Sequence, residues 1–305
     1  MSPLAGQSVG SLDLGDRSKP ALADLDGDGD ADLLVGEDLG TFRFFENTGS
    51  SIAPAFIART SAANPLDGRD VGDEAKPAFA DLDGDGDFDL LAGNLAGDLI
   101  YFANTGDATT PLFAGAAADP LGLSGITGGS AAPVFGDLDA DGDLDLVVGE
   151  YYDTLQFFEN TGSRTSPVFA LRTGSANPFG NLPPSCYATP ALGDFDRDGD
   201  LDLVLGREHG RFFYFNNQSS PTQFSPADPV FVPLTGVLNP LDGEDVGDLS
   251  APAAGDLNGD GTPDLVTGAL SGTFAVHYFP EPSRGILLGA GIALLRWLQW
   301  RRRAA

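Results

Sequence analysis

Asp24-Leu25-Asp26-Gly27-Asp28-Gly29-Asp30-Ala31-Asp32 places five carboxylates at alternate positions within nine residues. Two unit charges about 4 Å apart repel by roughly 1 kcal/mol in water, and by several times that near a protein surface. A tight loop of this kind is unstable without a cation. Oxygen donors alone, with no imidazole and no thiolate, select a hard ion of the calcium or magnesium type. Four side chains and a backbone carbonyl suit Ca2+, which takes about six to eight flexible ligands, whereas Mg2+ prefers a smaller, water-rich octahedron. Glycine at the sixth place, Gly29, allows the turn that brings the ninth-place acid back.

The same loop recurs from Asp81, Asp137, Asp194 and Asp256, at steps of 57, 56, 57 and 62 residues. A short apolar run precedes each copy, such as Pro77-Ala78-Phe79, and a second run follows it, ending at Gly36, Gly93, Gly149, Gly206 or Gly268. Aromatic-rich runs come next (Thr41 to Phe45, Leu99 to Phe102, Leu155 to Phe158, Phe212 to Phe215, Phe274 to Phe279), and the first four units add another such as Ala55-Phe56-Ile57. Short β-branched and aromatic runs punctuated by Gly, Pro and Asn read as strands, and no helical spacing competes with them. Four strands per repeat of this length predict an all-β propeller of about five four-stranded blades over residues 1–279. The apolar second and eighth places (Leu82 and Phe88, Leu138 and Leu144) are expected to anchor each loop to the core. The fifth unit lacks its last run, and residues 13–20 match 70–77, so the first dozen residues are expected to supply the missing strand. The alternative is a piece of a larger propeller.

The D-x-D-x-D-G-x-x-D loop followed by D-L-x-x-G resembles the FG-GAP/VCBS repeat of integrin-α-like propellers, over residues of about 13 to 279. The resemblance implies one Ca2+ per repeat, up to five, held by the first, third, fifth and ninth side chains and the seventh carbonyl. Those residues are Asp24, Asp26, Asp28 and Asp32 with Asp30; Asp81, Asp83, Asp85 and Asp89 with Asp87; and Asp137, Asp139, Asp141 and Asp145 with Asp143. They continue with Asp194, Asp196, Asp198 and Asp202 with Asp200, and with Asp256, Asn258, Asp260 and Asp264 with Thr262. The fifth loop has fewer charges and is expected to bind most weakly. An EF-hand is excluded, because its twelfth-place Glu is replaced by Val35, Ala92, Val148, Leu205 or Thr267. The ions are read as structural staples.

Acids outnumber bases 45 to 16, a net charge of −29 that argues against nucleic acid or an anionic membrane as a partner of the body. The single Cys186 excludes an internal disulfide and a multi-cysteine zinc site. Two His and two Lys leave little for proton transfer, so no catalytic residue and no enzyme activity are expected.

Residues 281–305 carry five bases and one acid, leaving 11 bases and 44 acids, a net of −33, on residues 1–280. Pro280-Glu281-Pro282, the apolar stretch from Ile286 to Leu295, Trp297, Trp300 and Arg301 to Arg303 together resemble the PEP-CTERM sorting signal of exported bacterial proteins. That resemblance implies a separate segment 280–305, a short apolar helix, transient membrane contact and removal by an exosortase-like peptidase. Met1 to Asp13 contains no signal peptide, which points to a mis-assigned start or a truncated chain. The reading is a secreted or surface-displayed bacterial adhesion or matrix module whose ligand is a protein or polysaccharide. Tyr151 and Tyr152 are the first candidates for that contact. A polysaccharide-active enzyme and a lectin are the alternatives.

Overall fold

Each acidic loop is the bend of an antiparallel hairpin. In the first, β1 (Lys19–Ala23) pairs with β2 (Asp32–Gly36), Ala23 opposite Asp32 and Lys19 opposite Gly36. β3 (Phe42–Asn47) and β4 (Phe56–Arg59) continue outward as a meander. The computed structural model describes residues 16–279 apart from 116, 119–120, 124–125, 127, 153–154, 183–186 and 219–228. The expected N-terminal strand, Cys186, the Pro280-Glu281-Pro282 motif and the C-terminal helix lie outside the described residues. Among those residues no helix is long and apolar enough to cross a membrane.

The meander repeats. Blade two comprises β5 (Lys76–Ala80), β6 (Asp89–Gly93), β7 (Leu99–Phe102) and β8 (Ala117–Ala118). Blade three comprises β9 (Ala132–Gly136), β10 (Asp145–Gly149), β11 (Leu155–Asn160) and β12 (Phe169–Arg172). Blade four comprises β13 (Thr189–Gly193), β14 (Asp202–Gly206), β15 (Phe212–Asn217) and β16 (Phe231–Leu234). Blade five has three described strands, β17 (Ala251–Gly255), β18 (Asp264–Gly268) and β19 (Phe274–His277). The protein is an all-β, five-bladed propeller.

A lone blade cannot cover both of its faces, so the core is divided among the seams. Leu34, Phe44, Leu90 and Phe102 fill the first seam, and Leu91, Leu146, Val148 and Phe158 the second. Leu33, Val35, Phe45, Leu257, Val266 and Val276 join blade five to blade one. The ring is closed.

Hydrogen bonding repeats with the same fivefold regularity. The residue two places before each inner strand donates its N–H to the turn after the second strand of the preceding blade. These bonds are Glu74 to Asp38 (2.8 Å), Ser130 to Leu95 (2.8 Å), Tyr187 to Tyr151 (3.3 Å), Leu249 to Glu208 (2.8 Å) and Arg17 to Leu270 (3.0 Å). The five donors have nothing chemical in common, yet all are left-handed, with φ of 60°, 56°, 55°, 59° and 56° in that order. Such a conformation costs a non-glycine residue about 1–3 kcal/mol and persists only where the surroundings over-determine it. Closure supplies that surrounding.

The chain's two lysines begin the inner strands of blades one and two, and both are buried. Burial, with the neighbouring cations, pushes each ammonium pKa down to about 7. Lys76 Nζ donates to Ser130 Oγ (2.7 Å) and lies 3.5 Å from Glu74, which also pairs with Arg17.

The third strands of blades one, three and four run two residues past the aromatic runs, to Asn47, Asn160 and Asn217. Asn47 Oδ1 accepts the N–H groups of Gly49 (3.1 Å) and Ala55 (2.9 Å), clamping the next hairpin. The eighth place anchors unevenly: Leu144 and Leu201 pack against the core and the Phe88 ring meets Phe79 while staying 38% exposed, whereas the second-place Leu25, Leu82, Leu138, Phe195 and Leu257 are buried.

The glycine ending each second strand lies against the backbone that enters the next blade. A β-carbon on Gly149 would collide with the Ala188 carbonyl and Pro190 Cδ, as one on Gly268 would with Ser18. Backbone cannot step aside as a side chain can. Gly149→Ala is expected to cost about 1–3 kcal/mol, the usual penalty of overpacking, read as a lower Tm in thermal unfolding.

Candidate metal centre

Within each loop the carboxylates first organise the backbone. Asp24 accepts N–H groups from Gly27 (2.8 Å) and Gly29 (3.0 Å), Asp137 from Asp141 and Gly142 (both 3.1 Å), and Asp194 from Asp198 (3.0 Å) and Gly199 (3.1 Å). The third-place side chain then accepts the fifth N–H, as Asp26 does from Asp28 (3.2 Å). The fifth accepts the seventh, as Asp28 does from Asp30 (2.9 Å). This ladder of side-chain turns is why Asp and Asn suit these places.

The ninth-place aspartates have a different task. Asp32, Asp89, Asp145, Asp202 and Asp264 are buried. Asp32 takes the N–H of Leu25 on one oxygen (3.0 Å) and that of Asn47 on the other (2.7 Å), and Asp145 takes those of Leu138 (3.1 Å) and Asn160 (2.8 Å). The residue therefore stitches the loop to the third strand. In blade four the Tyr214 hydroxyl donates to Asp202 (2.7 Å), and Tyr101 hydrogen-bonds Asp89 in blade two.

Donor oxygens converge in four loops. One oxygen each from Asp24, Asp26 and Asp32 lie within 4.8 Å of one another, as do those of Asp81, Asp83 and Asp85; Asp137, Asp139 and Asp141; and Asp194, Asp196 and Asp198. Asp28 stands outside the trio in loop one, and the ninth-place Asp89, Asp145 and Asp202 stand outside it in loops two to four. In loop five Asn258 takes one acidic place, and no trio of acids gathers there among the described residues. The seventh-place Asp30, Asp143 and Asp200 are half-buried, whereas Asp87 and Thr262 are buried. Among the described residues no donor reaches Asp87 Oδ1, while the Thr262 side chain meets the Asp260 carboxylate. A donor set made only of oxygen, with an unpaired oxygen buried among crowded carboxylates, fits a hard cation.

The crowding is visible in the ionisation. Burial, and then the neighbouring carboxylates, push Asp32, Asp145 and Asp202 up to about 7, and Asp87 and Asp264 up to about 6. Sequence reasoning missed Tyr101, Tyr214, Glu46 and Glu159. The tyrosines occupy one register of the third strand, opposite Leu91 and Val204, and that shared register is the signal that could have found them. Glu46 and Glu159 add negative charge beside Asp26 and Asp139, and each is capped across the sheet by a two-pronged arginine, Arg59 (2.7 and 2.9 Å) or Arg172 (2.6 and 2.7 Å).

Fold and site together define a closed propeller that carries an acidic hairpin bend on every blade. A family model described as FG-GAP-like repeat matches residues 24–92, 81–148, 137–205 and 194–267, and the chain belongs to that family. No curated protein gives a significant match. Among solved structures the chain is similar to an Agrocybe aegerita lectin that recognises non-reducing terminal N-acetylglucosamine, at 18% identity and a TM-score of 0.43, over 83% of this chain and 61% of that one. This chain thus spans about three fifths of the lectin's length. It is also similar to BBS1N in complex with ARL6DN (11%, TM-score 0.36, 87% and 92%) and to the rhamnogalacturonan lyase YesW (14%, TM-score 0.36, 90% and 64%). None of these likenesses bears on what this chain binds.

The raised carboxylates set a pH dependence. An unfolded Asp titrates near about 3.9, so in the metal-free protein the folded state holds these protons more tightly. Their contribution is full below that value and is lost as pH rises through about 6 to 7. The buried lysines act above this window, where rising pH relieves them. The Tm of EDTA-treated protein should therefore fall between pH 4.5 and 7, and saturating divalent cation should remove that fall. A flat metal-free profile would contradict the assignment.

Proposed function

We propose that the protein is an exported calcium-binding propeller of the bacterial surface or extracellular matrix, acting by adhesion. Ca2+ is the ion favoured by the all-oxygen donor sets and by the family, and its role is to hold the hairpin bends. The opposite face, built from the turns after each second strand and the entries to each inner strand, is the one that meets a partner.

One observation carries this reading. Tyr151 lies between Tyr152 and Tyr187, with ring centroids 4.5 and 4.3 Å away and the rings near perpendicular in both pairs. Tyr151 and Tyr152 follow β10 and Tyr187 precedes β13, so the trio bridges blades three and four at the end remote from the acidic loops. Tyr152 is 69% exposed. Clustered aromatics with polar tips supply apolar area and hydrogen bonds to a protein or sugar surface at little entropic cost.

The partner is a matrix protein or a polysaccharide. Tyr151→Ala and Tyr152→Ala should each weaken retention on immobilised matrix polysaccharide or protein at least tenfold while leaving the Tm in calcium unchanged. Undiminished binding by the double variant would reject this face.

The Pro280-Glu281-Pro282 motif and the tail behind it are proposed to direct sorting by an exosortase-like peptidase. Deleting residues 280–305 should release the protein from the cell surface into the medium, scored by fractionation of the native host. Unaltered surface retention would reject the sorting role.

A further inference from the structure

The fourth place of every acidic loop is left-handed: Gly27 (φ 74°), Gly84 (76°), Ala140 (60°), Arg197 (61°) and Gly259 (69°). Three of these glycines have a steric reason. A β-carbon on Gly27 would strike Thr109 Cγ2, one on Gly84 would strike Thr165 Cγ2, and one on Gly259 would strike Ile52 Cγ2. Thr109, Thr165 and Ile52 all lie in the hairpin joining the third and fourth strands of the next blade round the ring. Loops one, two and five are thus docked on their neighbours' outer hairpins.

Loop four faces blade five, whose described sheet ends at its third strand. There the fourth place carries the longest cationic side chain in place of hydrogen. Arg197 Nη2 donates to the carbonyl oxygen of Asp260 (2.6 Å) and to its carboxylate Oδ1 (3.0 Å). Asp260 is the fifth-place carboxylate of loop five, the same loop in which Asn258 has already removed one charge.

We infer that Arg197 is a resident cation for loop five: its guanidinium neutralises Asp260 from the neighbouring blade, so this bend holds its shape without metal and binds Ca2+ more weakly than the other four. A guanidinium on a ligand carboxylate both competes for its oxygen and repels a divalent ion. The propeller then has four calcium-dependent bends and one built-in latch, placed at the blade whose described sheet stops at its third strand. The inference rests on the calcium reading proposed above.

The test compares the full chain with Arg197→Gly, using Ala140→Gly as the control for relief of the left-handed backbone. Calcium is counted by equilibrium dialysis and its affinities are measured by calorimetry, and thermal unfolding is followed in EDTA and in calcium. Arg197→Gly should tighten the weakest site on the order of tenfold, or add one ion to the count. It should also lower the Tm in EDTA more than in calcium, and Ala140→Gly should do neither. Unchanged stoichiometry and affinity in Arg197→Gly, or a response matching Ala140→Gly, would overturn the latch while leaving the calcium reading intact. A wild-type protein that binds no calcium would overturn both.

Discussion

A buried carboxylate that spends both oxygens on backbone N–H groups connects the surface of this molecule to its core. Asp32 and Asp145 tie the second residue of an acidic bend to the last residue of the third strand of the same blade, and Asp89 and Asp264 tie it to a residue two places past that strand. Without that bond a cation among the exposed carboxylates would stiffen a loop and nothing more. With it, the bend, the hairpin below it and the strand beside it share one constraint, and the seam residues Leu33, Leu90, Leu146, Leu203 and Leu265 follow immediately in the chain. Burial of this carboxylate is costly, and its raised pKa reflects that cost.

Seams between blades rely on sterics where the loops rely on charge. Glycine at the end of each second strand lets two backbones meet, and a left-handed residue turns the chain into the next inner strand to donate one hydrogen bond back. Because each seam repeats the same parts, an unfavourable residue in one is carried by the other four. Among the described residues, blades five and one meet through the same parts, Arg17, Ser18 and Leu22 on one side and Gly255, Gly268 and Leu270 on the other.

The two ends of the propeller differ in kind. At one end the chain repeats its chemistry, and variation is confined to changes such as Asn258 and Arg197. At the other end the turns differ from blade to blade, and there the tyrosine trio interrupts the symmetry. On the binding role proposed above, a scaffold stiffened at one end would suit recognition at the other, since loops held by a rigid frame lose little entropy on binding.

Much was legible before any coordinate. The alternation of carboxylates announced a hairpin bend with an oxygen donor set fit for a cation, and their fivefold phasing announced the ring, because charge repulsion and strand pairing act over a few residues and leave their pattern in the chain. Other features were settled only by packing. The left-handed set Arg17, Glu74, Ser130, Tyr187 and Leu249 has no common chemistry to read, since the neighbouring blade imposes its conformation. The same holds for the burial of Lys19 and Lys76, the trio that Tyr187 completes, and the reach of Arg197 to Asp260 across 63 positions. Each joins residues of different blades, and such contacts exist only once the ring has brought distant segments together.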